Sequence, residues 1–248
     1  MGVALKAIDV RGVEYRYPDG TVALHGIDLS VAPGERVALL GPNGSGKTTL
    51  MLHLNGILTP SAGEVRIGGV PVGRSTVAEI RRRVGIVFQD SDDQLFMPNV
   101  RDDVAFGPAN LGLSGEELEA RVSEALRAVD MEHVTDRPPH HLSAGQKRRV
   151  ALAGVLAMRP EVLVLDEPST NLDPQARRDF GRLIKRLELT VLLATHDLPY
   201  AHQLCTRAIL INQGRIVADG PIGEILGDER LLRSHRLELP EGFHLPPR

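Results

Sequence analysis

RVALLGPNGSGKTTLMLHLNGIL, residues 36–58, joins three unlike pieces. Val37 to Leu40 is a continuous apolar run of strand length. GPNGSGKT then satisfies the pattern G-x-x-x-x-G-K-[ST] from Gly41 to Thr48, and a helical stretch follows. In such a turn the backbone N–H groups point at phosphate oxygens, and the helix adds its positive N-terminal end. Gly41, Gly44 and Gly46 allow the bend, with Pro42, Asn43 and Ser45 between them. Lys47 is placed to reach the β- and γ-phosphates, Thr48 to hold Mg²⁺, and Thr49 continues the loop. No [NT]-K-x-D guanine reader occurs, so adenine is the expected base.

Two further strands end in polar groups. EVLVLDEPSTNLDP, residues 161–174, begins with Val162 to Leu165, a run suited to a parallel strand buried on both faces. It ends in Asp166-Glu167, at the strand edge where open α/β sheets bind ligands. Asp166 is the natural Mg²⁺-side carboxylate, and Glu167 the candidate base for an attacking water. A solvated acidic turn is the competing reading in isolation. TVLLA, residues 190–194, leads to Thr195-His196-Asp197, and His196 at a third strand end reads as a γ-phosphate contact rather than a structural histidine.

HLSAGQKRRVALAGVLAMRP, residues 141–160, opens with Ser143 three residues before Gln146. That is a capping box, so a helix is expected from Ala144 and should stop before Pro160. Its first turn carries free N–H groups and the positive dipole end.

LSAGQ (142–146) resembles the signature loop, usually LSGGQ, of ATP-binding cassette (ABC) ATPases. The remaining motifs fall in that family's order: the phosphate loop at 41–49, Gln89 after the strand VGIVF, Asp166-Glu167, STNLDP at 169–174, and His196. The likeness spans roughly residues 8–226. It implies an α/β fold, a P-loop NTPase ABC cassette with a parallel-sheet core, an N-terminal antiparallel β subdomain and an inserted helical subdomain. It also implies ATP and Mg²⁺ as ligands, with Gln89 at the metal and in catalysis beside Lys47, Glu167 and His196, and Tyr17 stacked on adenine. Two cassettes, as a homodimer or a pair with a related ATPase, would pack head to tail. Ser143, Gly145 and Gln146 of one would then face the ATP of the other. Two departures stand out: Ala144 replaces a glycine at a helix start, where Ala is favourable. Asn171 replaces a glycine before Leu172-Asp173, and Asn is the residue that best tolerates a left-handed turn after glycine.

FQDSDDQLF (88–96) is where that family grips a short helix of its membrane partner. Asp90, Asp92 and Asp93 would attract a basic helix, with Leu95 and Phe96 as apolar anchors. DDQLF…DVAFGPANLGL and LSAGQKRRVALAGVLAM resemble energy-coupling-factor importer ATPases, especially the cobalt and nickel branch. That likeness implies a transmembrane coupling protein, a substrate-binding membrane protein, and a peripheral position on the cytoplasmic face. The vitamin branch, or another ABC transporter, is the alternative.

The 248 residues, 42% of them hydrophobic, suffice for a large core, and the formal charge of -3 gives no footprint for nucleic acid. Lys147-Arg148-Arg149 is only a short basic stripe. A soluble ABC protein acting on DNA or the ribosome is therefore the remote reading, and no nucleic-acid partner is expected. Cys205 stands alone, and neither a secretory start nor a membrane span is expected, so service to a membrane would run through partners. We expect an ATPase domain over 1–226, helical at about 90–160, and a short tail at 227–248. Residues 1–35 read as antiparallel strands turning at Pro18-Asp19-Gly20, Ser114 to Glu117 as a second capping box, and 208–220 as a closing hairpin. His133, His140 and His141 lack a completing ligand and read as packing or surface residues. LRSHRLELP (232–240) reads as a short docking segment.

Overall fold

The protein is described by a computed structural model covering residues 6–245. Alternating residues at its start form β1 (Ile8–Arg16) and β2 (Val22–Val31), antiparallel and joined by the turn at Pro18 to Gly20. The glycine-rich stretch then links β3 (Arg36–Leu40) to α1 (Lys47–Leu54). β4 (Ala62–Ile67) and β5 (Val70–Pro71) extend the first sheet, in the order β2-β1-β4-β5. α2 (Val77–Arg83) leads into β6 (Val84–Val87).

A helical block follows: α3 (Val100–Asn110), α4 (Gly115–Ala128) and α5 (Ala144–Leu156). The chain then alternates through β7 (Val162–Asp166), α6 (Pro174–Arg186), β8 (Thr190–Thr195) and α7 (Leu198–Leu204). It closes with the hairpin β9 (Arg207–Asn212) and β10 (Arg215–Pro221), then α8 (Ile222–Gly227) and α9 (Glu229–Ser234). The second sheet runs β10-β9-β3-β8-β7-β6; every neighbouring pair is parallel except the edge hairpin.

Period-two alternation divides that sheet's side chains between two cores. Val37, Leu39, Val162, Val164, Leu192 and Ala194 face β1, β2, β4 and α1. Ala38, Leu40, Leu163, Leu165, Val191 and Leu193 face the helices on the other side. Burial on both faces is why these strands read as unbroken apolar runs. The tail belongs to the same packing, since Leu232 and Leu237 are buried in the helical-side core and His235 Nδ1 meets Asn212 Nδ2 at 2.9 Å. LRSHRLELP thus docks largely on its own chain.

Local signals set the helix starts. Asn99 caps α3 by accepting from Asp102 N at 2.8 Å, and Asp173 caps α6 through Gln175 N and Ala176 N, with Pro174 at the first helical position. The box expected at Ser114 does not form: its side chain makes no cap bond, because Gly115 takes φ +57° and the first turn is not regular. α5 starts and stops where expected, with Arg159 turning left-handed at φ +52° ahead of Pro160.

Candidate active site

β3, β7 and β8 end side by side, which brings Gly41, Asp166-Glu167 and Thr195-His196 to one sheet edge. The phosphate-loop glycines are required there for two reasons. A Cβ on Gly41 would lie 2.3 Å from the Ile211 carbonyl, whereas Gly44 and Gly46 adopt φ +75° and +108°. Gly46 is the N-cap of α1 and offers no side chain to its first N–H groups, so that helix end stays open to an anion. Ser45 Oγ is buried and, among the described residues, has no hydrogen-bond partner.

Lys47 is almost fully buried. Its Nζ donates to the carbonyls of Gly41 (2.7 Å) and Pro42 (3.1 Å) and lies 3.8 Å from Glu167 Oε1. Burial lowers its pKa, opposed by the charges of Glu167 and Asp166. Thr48 Oγ1 donates to Asp166 Oδ2 at 3.1 Å. Burial raises the Asp166 pKa, and the Thr48 bond opposes that. A hydroxyl, one carboxylate and phosphate oxygens are the hard donor set that Mg²⁺ takes, so these residues fit the ion.

Glu167 sits at φ +44°, a strained conformation for a non-glycine residue. Its surroundings over-determine it: Oε2 accepts from Thr195 Oγ1 at 2.8 Å, and Oε1 accepts from His196 N at 3.1 Å and His196 Nδ1 at 2.8 Å. His196 therefore carries its Nδ1 proton toward Glu167 and leaves Nε2 free. It does not line the main cleft; it borders an adjoining hollow with Ser169, Thr170, Arg177 and Asp197.

The cleft itself holds about 480 Å³ and is lined by Tyr17, Asn43 to Thr49, Gln89, Asp166 and Glu167. Tyr17 is fixed by an OH···Oγ1 contact of 2.9 Å with Thr49 and by Tyr15, edge-on at 4.9 Å. Gln213 and Gly214, in the β9–β10 turn, also line it, and Gly214 N donates to the Ser45 carbonyl at 2.9 Å. No sequence signal marked that turn beyond its Gln-Gly pair.

Ser143, Gly145 and Gln146 do not line this cleft. The Ser143–Gln146 box is complete, with Ser143 N donating to Gln146 Oε1 at 3.0 Å and Gln146 N to Ser143 Oγ at 3.3 Å. Ser143 and Ala144 are exposed, and Gly145 admits close packing: a Cβ there would lie 2.9 Å from that of Ala176. Asn171 takes φ +63°, the left-handed turn expected of it.

The acidic loop differs from its sequence reading in two places. Asp92 is not a free acid, since Lys147 Nζ reaches its Oδ1 at 2.6 Å, and Leu95 packs inward against the core. Phe96 does face outward, 62% exposed, and meets the half-exposed Phe106 edge-to-face at 4.9 Å. Asp103 holds the turn by accepting from Phe96 N and Met97 N, and Gln94 holds its base through Phe88 N and the Ile86 carbonyl. The basic triplet is likewise no surface stripe: Arg148 is buried, and Arg149 bonds to the Val129 carbonyl and lies within 3.8 Å of Asp179. His140 and His141 touch each other, with ring centroids 4.3 Å apart, and no group of three candidate ligands forms a metal site among the described residues.

The family model described as ABC transporter matches residues 24–170. The energy-coupling factor transporter ATP-binding protein EcfA of Methanothermobacter thermautotrophicus is 51% identical, over 94% of this chain and 76% of its own. This chain belongs to the ABC transporter ATPases, in their energy-coupling-factor branch. Like its family, this ABC ATPase hydrolyses ATP with Mg²⁺. Two solved structures share the cassette fold. One is cbiO1 of Clostridium perfringens, described as part of the ABC transporter complex cbiONQ; it has a TM-score of 0.83 and 40% identity and covers 95% of this chain and 96% of its own. The other is a dimeric post-hydrolysis state of the ATP-binding cassette MJ0796 bound to ADP and Pi, with a TM-score of 0.77 and 29% identity over 87% of this chain and 98% of that one. No helix among the described residues of the ABC ATPase is long and apolar enough to cross a membrane.

Proposed function

We propose that this ABC ATPase powers an importer of a transition-metal ion, cobalt or nickel, from the cytoplasmic face of the membrane. It works as a homodimer, or paired with a related ATPase, on a transmembrane coupling protein and a substrate-binding membrane protein. The observation that carries the catalytic part is Glu167, a buried carboxylate held by three donors of Thr195 and His196 and lying near Lys47. Glu167 takes a proton from the water attacking the γ-phosphate, and His196, bonded to that carboxylate, fixes its orientation. Lys47 neutralises the β- and γ-phosphates, Tyr17 stacks on adenine, and the N–H groups from Gly44 to Thr49 hold the phosphate chain. Thr48, Asp166 and Gln89 are the residues for Mg²⁺, which when bound offsets phosphate charge.

The exposed start of α5 serves the second copy. Ser143 and Gly145 face the partner's ATP, a reading supported by the dimer described for MJ0796. The Phe96–Phe106 pair, with Asp90 and Asp93 on the same loop as Phe96, receives the basic coupling helix of the membrane partner. The metal cargo rests on the likeness of DDQLF…DVAFGPANLGL to the cobalt and nickel branch.

Glu167→Gln saturated with Mg-ATP should be dimeric by light scattering and should turn over about 10²–10⁴-fold slower. A monomer with ordinary turnover would overturn the site. For the cargo, membrane partners captured with the ABC ATPase should support ⁵⁷Co²⁺ or ⁶³Ni²⁺ uptake when expressed together. Vitamin uptake alone would assign it to the vitamin importers, and salt-sensitive nucleic-acid binding without membrane partners to the soluble ABC proteins.

A further inference from the structure

Arg148 stands on α5 one turn beyond Ser143, with only 3% of its surface exposed. Its guanidinium makes three hydrogen bonds to main-chain carbonyls and, among the described residues, none to a carboxylate. NH1 donates to the Phe88 carbonyl at 2.7 Å, and NH2 to the Gln89 carbonyl at 2.6 Å and the Thr170 carbonyl at 3.4 Å. Among the described residues Nε has no hydrogen-bond partner, so the side chain is arranged around its two terminal nitrogens. A buried cation is a poor device for stability alone, because desolvation offsets what its bonds return. It is a good device for fixing geometry, since the guanidinium fork is planar and rigid.

What it fixes is specific. Phe88 and Gln89 present consecutive carbonyls, so one fork sets the peptide planes on both sides of Gln89 and with them the direction of its side chain. Thr170 follows Ser169, whose hydroxyl donates to Asp197 at 3.0 Å, next to His196. A single residue of the signature helix therefore grips both loops that flank Asp166-Glu167.

We propose that Arg148 is a positioning residue for hydrolysis, tying the signature helix to the backbone of Gln89 so that Gln89 is held in its working orientation in the cleft. The assignment rests on the roles given above to Gln89 and the signature turn. It differs from them in naming a residue that reaches neither nucleotide nor metal.

The test is a double-mutant cycle on the intact chain, with Arg148→Met and Gln89→Ala made singly and together. Arg148→Met should lower kcat about 10- to 100-fold, the usual effect of a small misplacement, with KM for ATP within about twofold of the parent. The double variant should fall no further than the slower single one, and Arg148→Lys should recover part of the loss. Losses that multiply, an unchanged kcat, or a loss that merely follows the folded fraction would overturn the inference. If Arg148→Met does not fold, the same cycle run with Arg148→Lys decides. Gln89→Ala with ordinary kcat would remove Gln89 from the site and this inference with it. Multiplying losses would remove the inference alone.

Discussion

Two helix starts in this molecule are built in opposite ways. α1 begins at a glycine with φ +108° and no side-chain cap, whereas α5 begins with a complete reciprocal box between Ser143 and Gln146. Both present the positive end of a helix. The first is open in the isolated chain, so the phosphate loop can bind nucleotide alone. The second has the N–H groups of Ser143 and Gln146 satisfied by its own side chains while its surface stays exposed, so it is held in place within the single chain. On the function proposed above, affinity for nucleotide belongs to one end and recognition across copies to the other.

That contrast can be broken from either side. The largest effect is expected at α1. Lys47→Ala removes charge-assisted bonds to phosphate and should weaken ATP binding about 10- to 100-fold in equilibrium titration, with Ser143 variants binding normally in the same assay. At α5, Ser143→Asp should keep the cap and the thermal midpoint while lowering kcat about tenfold or more, because it sets a carboxylate against phosphate. Ser143→Ala should instead lose about 1 kcal/mol of stability in urea unfolding. An unchanged kcat in Ser143→Asp would show that Ser143 serves only its own helix.

A smaller effect separates binding from folding at Asp166. Its carboxyl is pushed up from the ordinary 3.8 by burial, so the folded state holds its proton more tightly than the unfolded chain does. Stability from this group is then present below pH 3.8 and is lost as pH rises through the higher folded value, leaving a deficit at neutral pH. Asp166→Asn should therefore raise the melting temperature measured without nucleotide or Mg²⁺ while abolishing Mg²⁺-dependent turnover. A lower melting temperature would contradict this. The smallest effect belongs to Asp92, whose pair with Lys147 joins a 66%-exposed carboxylate to a mostly covered ammonium. Asp92→Ala should cost no more than about 1 kcal/mol by chemical denaturation.

Local chemistry made much of this legible. The capping box at Ser143, the left-handed Asn171 and the polar strand ends all follow from residues within one turn or one strand. Ser114 shows the limit, because the same pattern fails when the next residue is a glycine free to leave the helical region. Arg148 lay hidden for another reason: its targets are main-chain carbonyls 59 and 60 residues away, and a carbonyl carries no side-chain signature. The cation paired with Asp92 was hidden likewise, since it lies 55 positions downstream. His196 sits at the strand end the sequence marks, but its bond to Glu167 turns the imidazole toward the adjoining hollow.

The hairpin of β9 and β10 carries one more consequence. β9 is hydrogen-bonded to β3 along its length, the Ile211 carbonyl crowds Gly41, and Gly214 braces Ser45. A fragment ending at Thr206 would retain every residue proposed to do chemistry, yet it would expose the backbone edge of β3 and release the wall behind the nucleotide loop. The catalytic portion cannot be excised as a working miniature; strands late in the sequence complete the pocket begun by residues far earlier.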